Sequence, residues 1–292
     1  MPTPSLSRKP DWLRVKLATT PDTAFVRKSL RTKGLHTVCE EARCPNLHEC
    51  WSFHRTASFM VLGTICTRHC RFCAVKTGKP AAPDELEPGR VAASVERLGI
   101  AHAVITMVNR DDLPDGGAGH LAATGRAIHA RLPKTSVEYL SSDLMGKSEA
   151  IAVLVESKPE ILGHNIETIR RLTPQVRSRS DYDRSLNFLR TAAALNSTLL
   201  LKSSLMLGLG EEEHEVLQTL AELRDTGCKL VNIGQYLQPT RRNLPVKRYW
   251  HPDEFASLRE KALQLGFAHV YAGPLVRSSY HAGKQLQEIL KA

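Results

Sequence analysis

The chain has 292 residues, enough to bury one large core. Its 40 lysines and arginines exceed its 30 aspartates and glutamates, so an acidic partner suits the charge. Nucleic acid would suit it too, but the basic residues are scattered through predicted helices and aromatics are only 5%, sparse for a base-stacking surface.

The N-terminus, MPTPSLSRKPDWLRVKL, lacks a signal-peptide core, and Pro2, Pro4 and Pro10 break any transit helix. No segment approaches the apolar length of a membrane span, so the cytoplasm is the expected location and no membrane partner is expected. Met1 to about Gly34 reads as an arm with at most one short helix, around Thr23 to Thr32. Its apolar content is too low for a core of its own, so it should wrap the rest of the chain.

Six of the seven cysteines follow within one stretch, Cys39 to Cys73. Cys39, Cys44 and Cys50 are separated by four and five residues; Cys66, Cys70 and Cys73 by three and two. Such clustering argues for a reducing compartment, because secreted disulfide frameworks are small and loop-rich. Between the triads, Phe59 to Gly63 reads as a strand, which puts the second triad at a strand's carboxyl end, where parallel α/β folds place their chemistry. Two triads suggest two metal centres, each short of one protein ligand. A cubane cluster has four irons, so three thiolates leave one iron open. Zinc sites completed by His48, His54 or His69 are an alternative, as are six buried thiols.

From Ser58 onward strand and helix signals alternate, which implies a parallel sheet. The further strands are Ala103 to Met107, Ser136 to Leu140, Ile161 to Asn165, Leu199 to Leu207 and Leu230 to Tyr236. Helical patterns cover Arg90 to Leu98, His120 to Arg131, Ser148 to Glu156, Tyr182 to Asn196, Glu212 to Thr226 and Asp253 to Leu265. Six strand–helix units make an open, partial (β/α)6 TIM-like barrel the expected α/β fold. His269 to Ala272 reads as an extra strand, and a last helix starts at Lys284. The chain thus divides into an arm over 1–57, a barrel over 58–272 and a C-terminal segment over 273–292. Cys228, before the sixth strand, reads as an inert buried thiol.

Several loop residues are candidates for binding. Gly116 and Gly117, after the second strand, permit positive φ and close approach of a ligand, or simply a turn opening the next helix. Asp111, Asp112 and Asp115 suit helix capping or loop charge. Asn165 and Glu167 end the fourth strand, where Glu167 could accept from ribose hydroxyls. Arg177 and Arg179 could grip a carboxylate as a pair. Lys202 and Ser203 fall mid-strand, where an inward lysine needs a partner. Gln235 and Gln238 are expected at the barrel mouth.

The loop CTRHCRFC, with Phe72 before its last cysteine, resembles the signature of the radical S-adenosylmethionine superfamily. The segments CEEARCPNLHEC, NRDDLPDGGA, GHNIET, LMLGLGE, GQYLQPT and VYAGPLVRSSYHA, in that order, resemble the lipoyl synthase family along nearly the whole chain. That resemblance implies two 4Fe–4S clusters, with Cys66, Cys70 and Cys73 holding the one that binds S-adenosylmethionine and Cys39, Cys44 and Cys50 the auxiliary one. It implies insertion of two sulfur atoms at C6 and C8 of an octanoyl-lysine group, on a lipoyl carrier domain or a glycine-cleavage carrier protein. A low-potential electron donor and an iron–sulfur cluster carrier are implied as partners. By the same match Ser279, in Arg277-Ser278-Ser279-Tyr280, is the auxiliary cluster's fourth ligand; an extended tail would point Ser278 the other way. Three segments depart from the family pattern: Phe53-His54-Arg55, Thr64, and Ser141-Ser142-Asp143-Leu144. All cluster ligands remain. A tRNA-modifying radical enzyme would carry an added RNA-binding module, and an electron carrier or zinc protein would need no barrel.

Overall fold

The computed structural model describes residues 9–14, 21–53 and 58–291. Among the described residues ten strands are formed in chain order: β1 (His36–Thr37), β2 (Ser58–Val61), β3 (Ile65–Cys66), β4 (Lys76–Thr77), β5 (His102–Met107), β6 (Ser136–Leu140), β7 (Ile161–Gly163), β8 (Leu200–Leu207), β9 (Leu230–Gln235) and β10 (His269–Gly273). β1, β2 and β5 to β10 make one eight-stranded sheet in that order, and β1 does not pair with β10. The barrel is therefore open. All pairs in it are parallel except β1 on β2, where His36 faces Met60 and Thr37 faces Phe59.

The helices are α1 (Pro21–Arg31), α2 (Val38–Glu41), α3 (Leu47–Phe53), α4 (Glu87–Leu98), α5 (Ala118–Arg131), α6 (Ser148–Glu156), α7 (Thr173–Val176), α8 (Tyr182–Leu195), α9 (Glu213–Asp225), α10 (Pro252–Gln264) and α11 (Ala282–Lys291). The strands between them are buried on both faces, which is why they read as apolar runs rather than alternating ones.

Register fixes the inner face, because paired residues share a side of the sheet. Ser58 pairs with Val104, Val104 with Glu138, and Lys202 with Leu230. The inner side thus carries polar groups from facing strands. Lys202 is 2% exposed and donates to Glu138 Oε1 at 2.9 Å, and His102 Nε2 meets Glu138 Oε2 at 3.2 Å. The partner that a mid-strand lysine requires is therefore Glu138, and its charge together with that of His102 holds the Glu138 carboxyl below its usual range against the opposing effect of burial.

Differences from the sequence expectations sit at element ends. The strand expected to reach Gly63 ends at Val61, because Leu62 and Gly63 turn at φ 69° and 89°. The strands expected to reach Asn165 and Tyr236 end at Gly163 and Gln235. The first barrel helix begins at Glu87, since Pro88 is tolerated in a first turn. The last helix begins at Ala282 rather than Lys284. In the arm, a 3-10 turn at Asp11–Leu13 accompanies α1, and the first cysteine motif folds as α2 and α3.

Candidate functional site

The second cysteine motif is held at the carboxyl end of β2 by backbone contacts to three other loops. Cys66 ends β3, which pairs with β4 through Cys66 and Thr77. Cys70 bridges to Arg177, and Arg71 N–H donates to Val176 O at 2.9 Å. From the segment after β9, Leu244 N–H donates to Arg71 O at 3.0 Å and Asn243 Nδ2 to Cys73 O at 2.8 Å. The sulfurs accept weak bonds: Arg68 N–H and Asn109 Nδ2 on Cys66 Sγ at 3.4 and 3.7 Å, and Val75 N–H on Cys73 Sγ at 3.5 Å. Burial, and then the neighbouring thiols, push Cys70 up to about 12 and Cys73 to about 11. For Cys70, Arg177 opposes that rise. The three side chains converge.

Arg68, inside the motif, was not singled out by the sequence. It is 3% exposed and bonds two carboxylates, Asp111 at 2.7 and 2.8 Å and Asp143 at 2.8 and 2.6 Å. Arg184 adds a bond to Asp143 at 2.8 Å. These hydrogen bonds and charges hold the Asp143 carboxyl far below its usual range despite burial. Asp143 belongs to Ser141-Ser142-Asp143-Leu144, the segment that departs from the family pattern. The only sequence signal was an arginine between two cysteines with acidic residues downstream.

Of the other candidates, Gly116 and Gly117 take φ 65° and 92° at the start of α5. A Cβ on Gly117 would clash with the Leu62 side chain, and one on Gly116 would press Leu144. Their close approach is thus to protein. Asp115 accepts from Gly117 and Gly119 N–H, a capping role, while Asp112 pairs with Arg110. Asn165 Nδ2 donates to Glu167 Oε1 at 3.0 Å; Glu167 sits at φ 66°, and burial raises its carboxyl pKa. Arg177 is buried beside Glu167 and Cys70 and donates to Ile166 O and Ser185 Oγ, both at 3.0 Å. Arg179 is exposed at φ 64°, so the two arginines do not form the expected pair. Ser203 faces outward and accepts from Ile166 N–H at 3.1 Å. Gln235 lies at the end of β9 as expected but is buried, bonding carbonyls of Leu207, Tyr236 and Arg248. Gln238 braces Asn243 O.

The first motif lies at the other end of β2. Pairing of Thr37 with Phe59 sets Cys39 beside Ser58, whose backbone tempers a thiol that burial and Cys44 push up to about 11. Burial raises Cys44, opposed by the Arg277 guanidinium, and burial, Cys39 and Cys44 raise Cys50 strongly. The C-terminal tail reaches this triad. Asn46 Nδ2 donates to Leu275 O at 2.7 Å, Tyr280 Oη to Glu49 Oε1 at 3.0 Å, and Ser58 Oγ to Ser279 Oγ at 2.8 Å. The tail is not extended as expected: Tyr280 N–H bonds Arg277 O, so both serines lie in a turn. Ser279 is the one whose hydroxyl meets Ser58 beside Cys39.

Both triads fit clusters held by three thiolates. All seven cysteines are free, and each triad brings thiols near one another: Cys39 and Cys44 raise the Cys50 thiol, and Cys73 and Cys66 raise that of Cys70. Among the described residues, no group of three or more His, Cys, Asp or Glu side chains is arranged to hold a single metal ion. His69 Nδ1 meets Thr77 Oγ1 instead, and His54 lies outside the described residues. Nor, among them, is any helix long and apolar enough to cross a membrane.

Known proteins are consistent with this arrangement. Residues 60–223 match the radical SAM superfamily. Among solved structures, a methylornithine synthase superposes with TM-score 0.54 at 13% identity over 85% of this chain and 81% of its own. A Streptococcus suis protein, SuiB, gives 0.58 at 12% identity over 78% and 52%. These share the fold. A lipoyl synthase of Halalkalibacterium halodurans is 56% identical over 96% of this chain and 93% of its own length. One of Bacillus subtilis is 54% identical over 97% and 95%. An open parallel barrel with two cysteine triads, and such identity along almost the whole length, place the chain in the lipoyl synthase family of radical S-adenosylmethionine enzymes.

Proposed function

We propose that the chain inserts sulfur at C6 and C8 of an octanoyl-lysine group on a carrier protein. The observation that carries this reading is the placement of two thiol triads at opposite ends of β2, with Ser279 brought from the far C-terminus to the first. When bound, a cluster with S-adenosylmethionine at the second triad supplies a carbon radical able to abstract hydrogen from unactivated carbon, and a cluster at the first supplies sulfur. Residues 58–272 form the chamber, residues 1–57 bring the first triad, and residues 273–292 bring Ser279.

The chain's own groups bind, orient and exclude water. Cys66, Cys70 and Cys73 hold one cluster; Cys39, Cys44, Cys50 and Ser279 hold the other. Glu167, oriented by Asn165, suits a ribose diol, and Arg177 balances charge beside Cys70. Gly116 and Gly117 shape the start of α5 below the cluster loop. The strands are buried on both faces, which keeps water from a radical intermediate.

The carrier is an acidic domain, either a lipoyl domain or the glycine-cleavage protein. Several exposed arginines of the helical layer are tied to carboxylates, as Arg131 is to Glu96 and Arg171 to Glu215. Around the second motif, Arg71, Arg179, Arg241 and Arg242 are exposed, and none has a carboxylate partner among the described residues. A low-potential donor and a cluster carrier complete the partners, in a compartment such as the cytoplasm that keeps thiols reduced.

Ser279→Ala tests the reading: it should still form 5′-deoxyadenosine but stall before lipoyl product, while Ser278→Ala should resemble the parent. A Ser279→Ala enzyme making lipoyl product at the parent rate would overturn the ligand assignment.

A further inference from the structure

We propose that Asn232 and Gly234, on the inner face of β9, form a seat that positions Ser279, and that Gln285 of α11 locks it. This rests on Ser279 being a cluster ligand, but the seat is a property of the chain itself. Asn232 is fully buried, and its single amide makes three bonds. Nδ2 donates to Arg277 O at 2.8 Å and to Ser278 O at 3.0 Å, the two carbonyls just before the ligand residue. Oδ1 accepts from Gln285 Nε2 at 2.7 Å, and Gln285 is fully buried too. These partners leave the amide one orientation, because a flipped amide would set oxygen against two carbonyls.

Gly234 lies two residues along β9, on the same face. Its φ is not positive, so backbone torsion does not require glycine there. Space does: a Cβ would fall far inside van der Waals contact of the Val276 carbonyl. The tail is thus pressed onto the strand at Val276, gripped at Arg277 and Ser278, and free of that grip at Ser279. With its preceding carbonyls fixed, the Ser279 hydroxyl has little room to wander from Ser58 and the first triad. Arg277 is set by the same grip, with its guanidinium beside Cys44. Asn232 and Gly234 are positioning residues.

The test uses full-length protein carrying Asn232→Leu, Gly234→Ala or Gln285→Leu, beside Ser279→Ala. Amide exchange of residues 275–281, measured without clusters, reads the seat directly. Asn232→Leu and Gly234→Ala should speed that exchange about tenfold, and Gln285→Leu by less. In reconstituted enzyme, the first two should raise the ratio of 5′-deoxyadenosine to lipoyl product, as Ser279→Ala does. Parent-like exchange in Asn232→Leu overturns the seat, even if Gly234→Ala fails to fold. Faster exchange with a parent ratio, while Ser279→Ala shifts that ratio, overturns the positioning role. If Ser279→Ala leaves the ratio unchanged, the ligand reading fails, and exchange alone decides the seat.

Discussion

The two cysteine motifs flank opposite ends of the same strand, β2, but are held in different ways. The second is compact: three thiols in eight residues, N–H groups on two sulfurs from residues two positions on, and a buried arginine between two carboxylates inside the loop. The first is dispersed. Cys39 and Cys50 ride on two short helices and Cys44 on the loop between them, the motif's charged contact at Glu40 is a half-exposed pair with Arg27, and its proposed fourth ligand comes from 221 residues beyond Ser58. A centre that must work repeatedly benefits from a rigid local frame. A centre that gives up its sulfur needs ligands that can let go.

The widest gap between them should appear on deleting thiols. Cys66→Ala, Cys70→Ala or Cys73→Ala should abolish 5′-deoxyadenosine formation. Cys39→Ala, Cys44→Ala or Cys50→Ala should retain it while abolishing lipoyl product, as product chromatography would read. Equal loss in all six, with the intact motif still loaded with iron, would end the division of labour.

Next comes the frame itself. Arg68→Met leaves two carboxylates without their shared cation, one of them fully buried, and should cost about 3 kcal/mol in denaturant unfolding of the metal-free protein. Arg27→Ala, which breaks the half-exposed pair beside the first motif, should cost less than about 1 kcal/mol. Similar losses would erase the contrast.

A comparable effect, spread over a range of pH, concerns His164, near Asp143 and Arg177 on the compact side. Burial, and then Arg177, depress its pKa from the usual value near 6.5 to about 4. An unfolded chain therefore binds this proton first as pH falls. Stability should decline between pH 6.5 and 4, by roughly 3 kcal/mol, and this contribution should level off below. In His164→Gln that part of the slope should vanish from thermal melts taken across the window; an unchanged slope would assign acid sensitivity elsewhere.

The mildest expectation concerns the arginine rim. Association with an acidic carrier should weaken as salt shortens the Debye length from about 10 Å at 0.1 M to about 3 Å at 1 M. A neutral octanoyl-lysine peptide should respond far less, and identical salt curves would remove the electrostatic argument.

Legibility in the sequence followed the same contrast. The compact motif was readable because its cysteine spacing is set within one loop after an apolar strand. The barrel was readable because parallel strands buried on both faces stand out as apolar runs. What escaped depended on distant partners. Arg68 looked like any loop charge until Asp143, 75 residues away, closed on it. Lys202 raised the question of a partner that only β6 could answer. The helices of the first motif were missed because they are short and Pro45 interrupts their periodicity. Asn232 gave no signal, since its partners are two backbone carbonyls and a glutamine 53 residues away.

β2 has one more consequence. It is four residues long, with Cys39 and Ser279 near Ser58 and the loop to Cys66 leaving just past Val61. At about 3.3 Å per residue it is a rod of roughly 13 Å. That rod sets the spacing between the two thiol triads. A two-residue insertion in this one strand would therefore move the triads apart while leaving every cysteine in the chain.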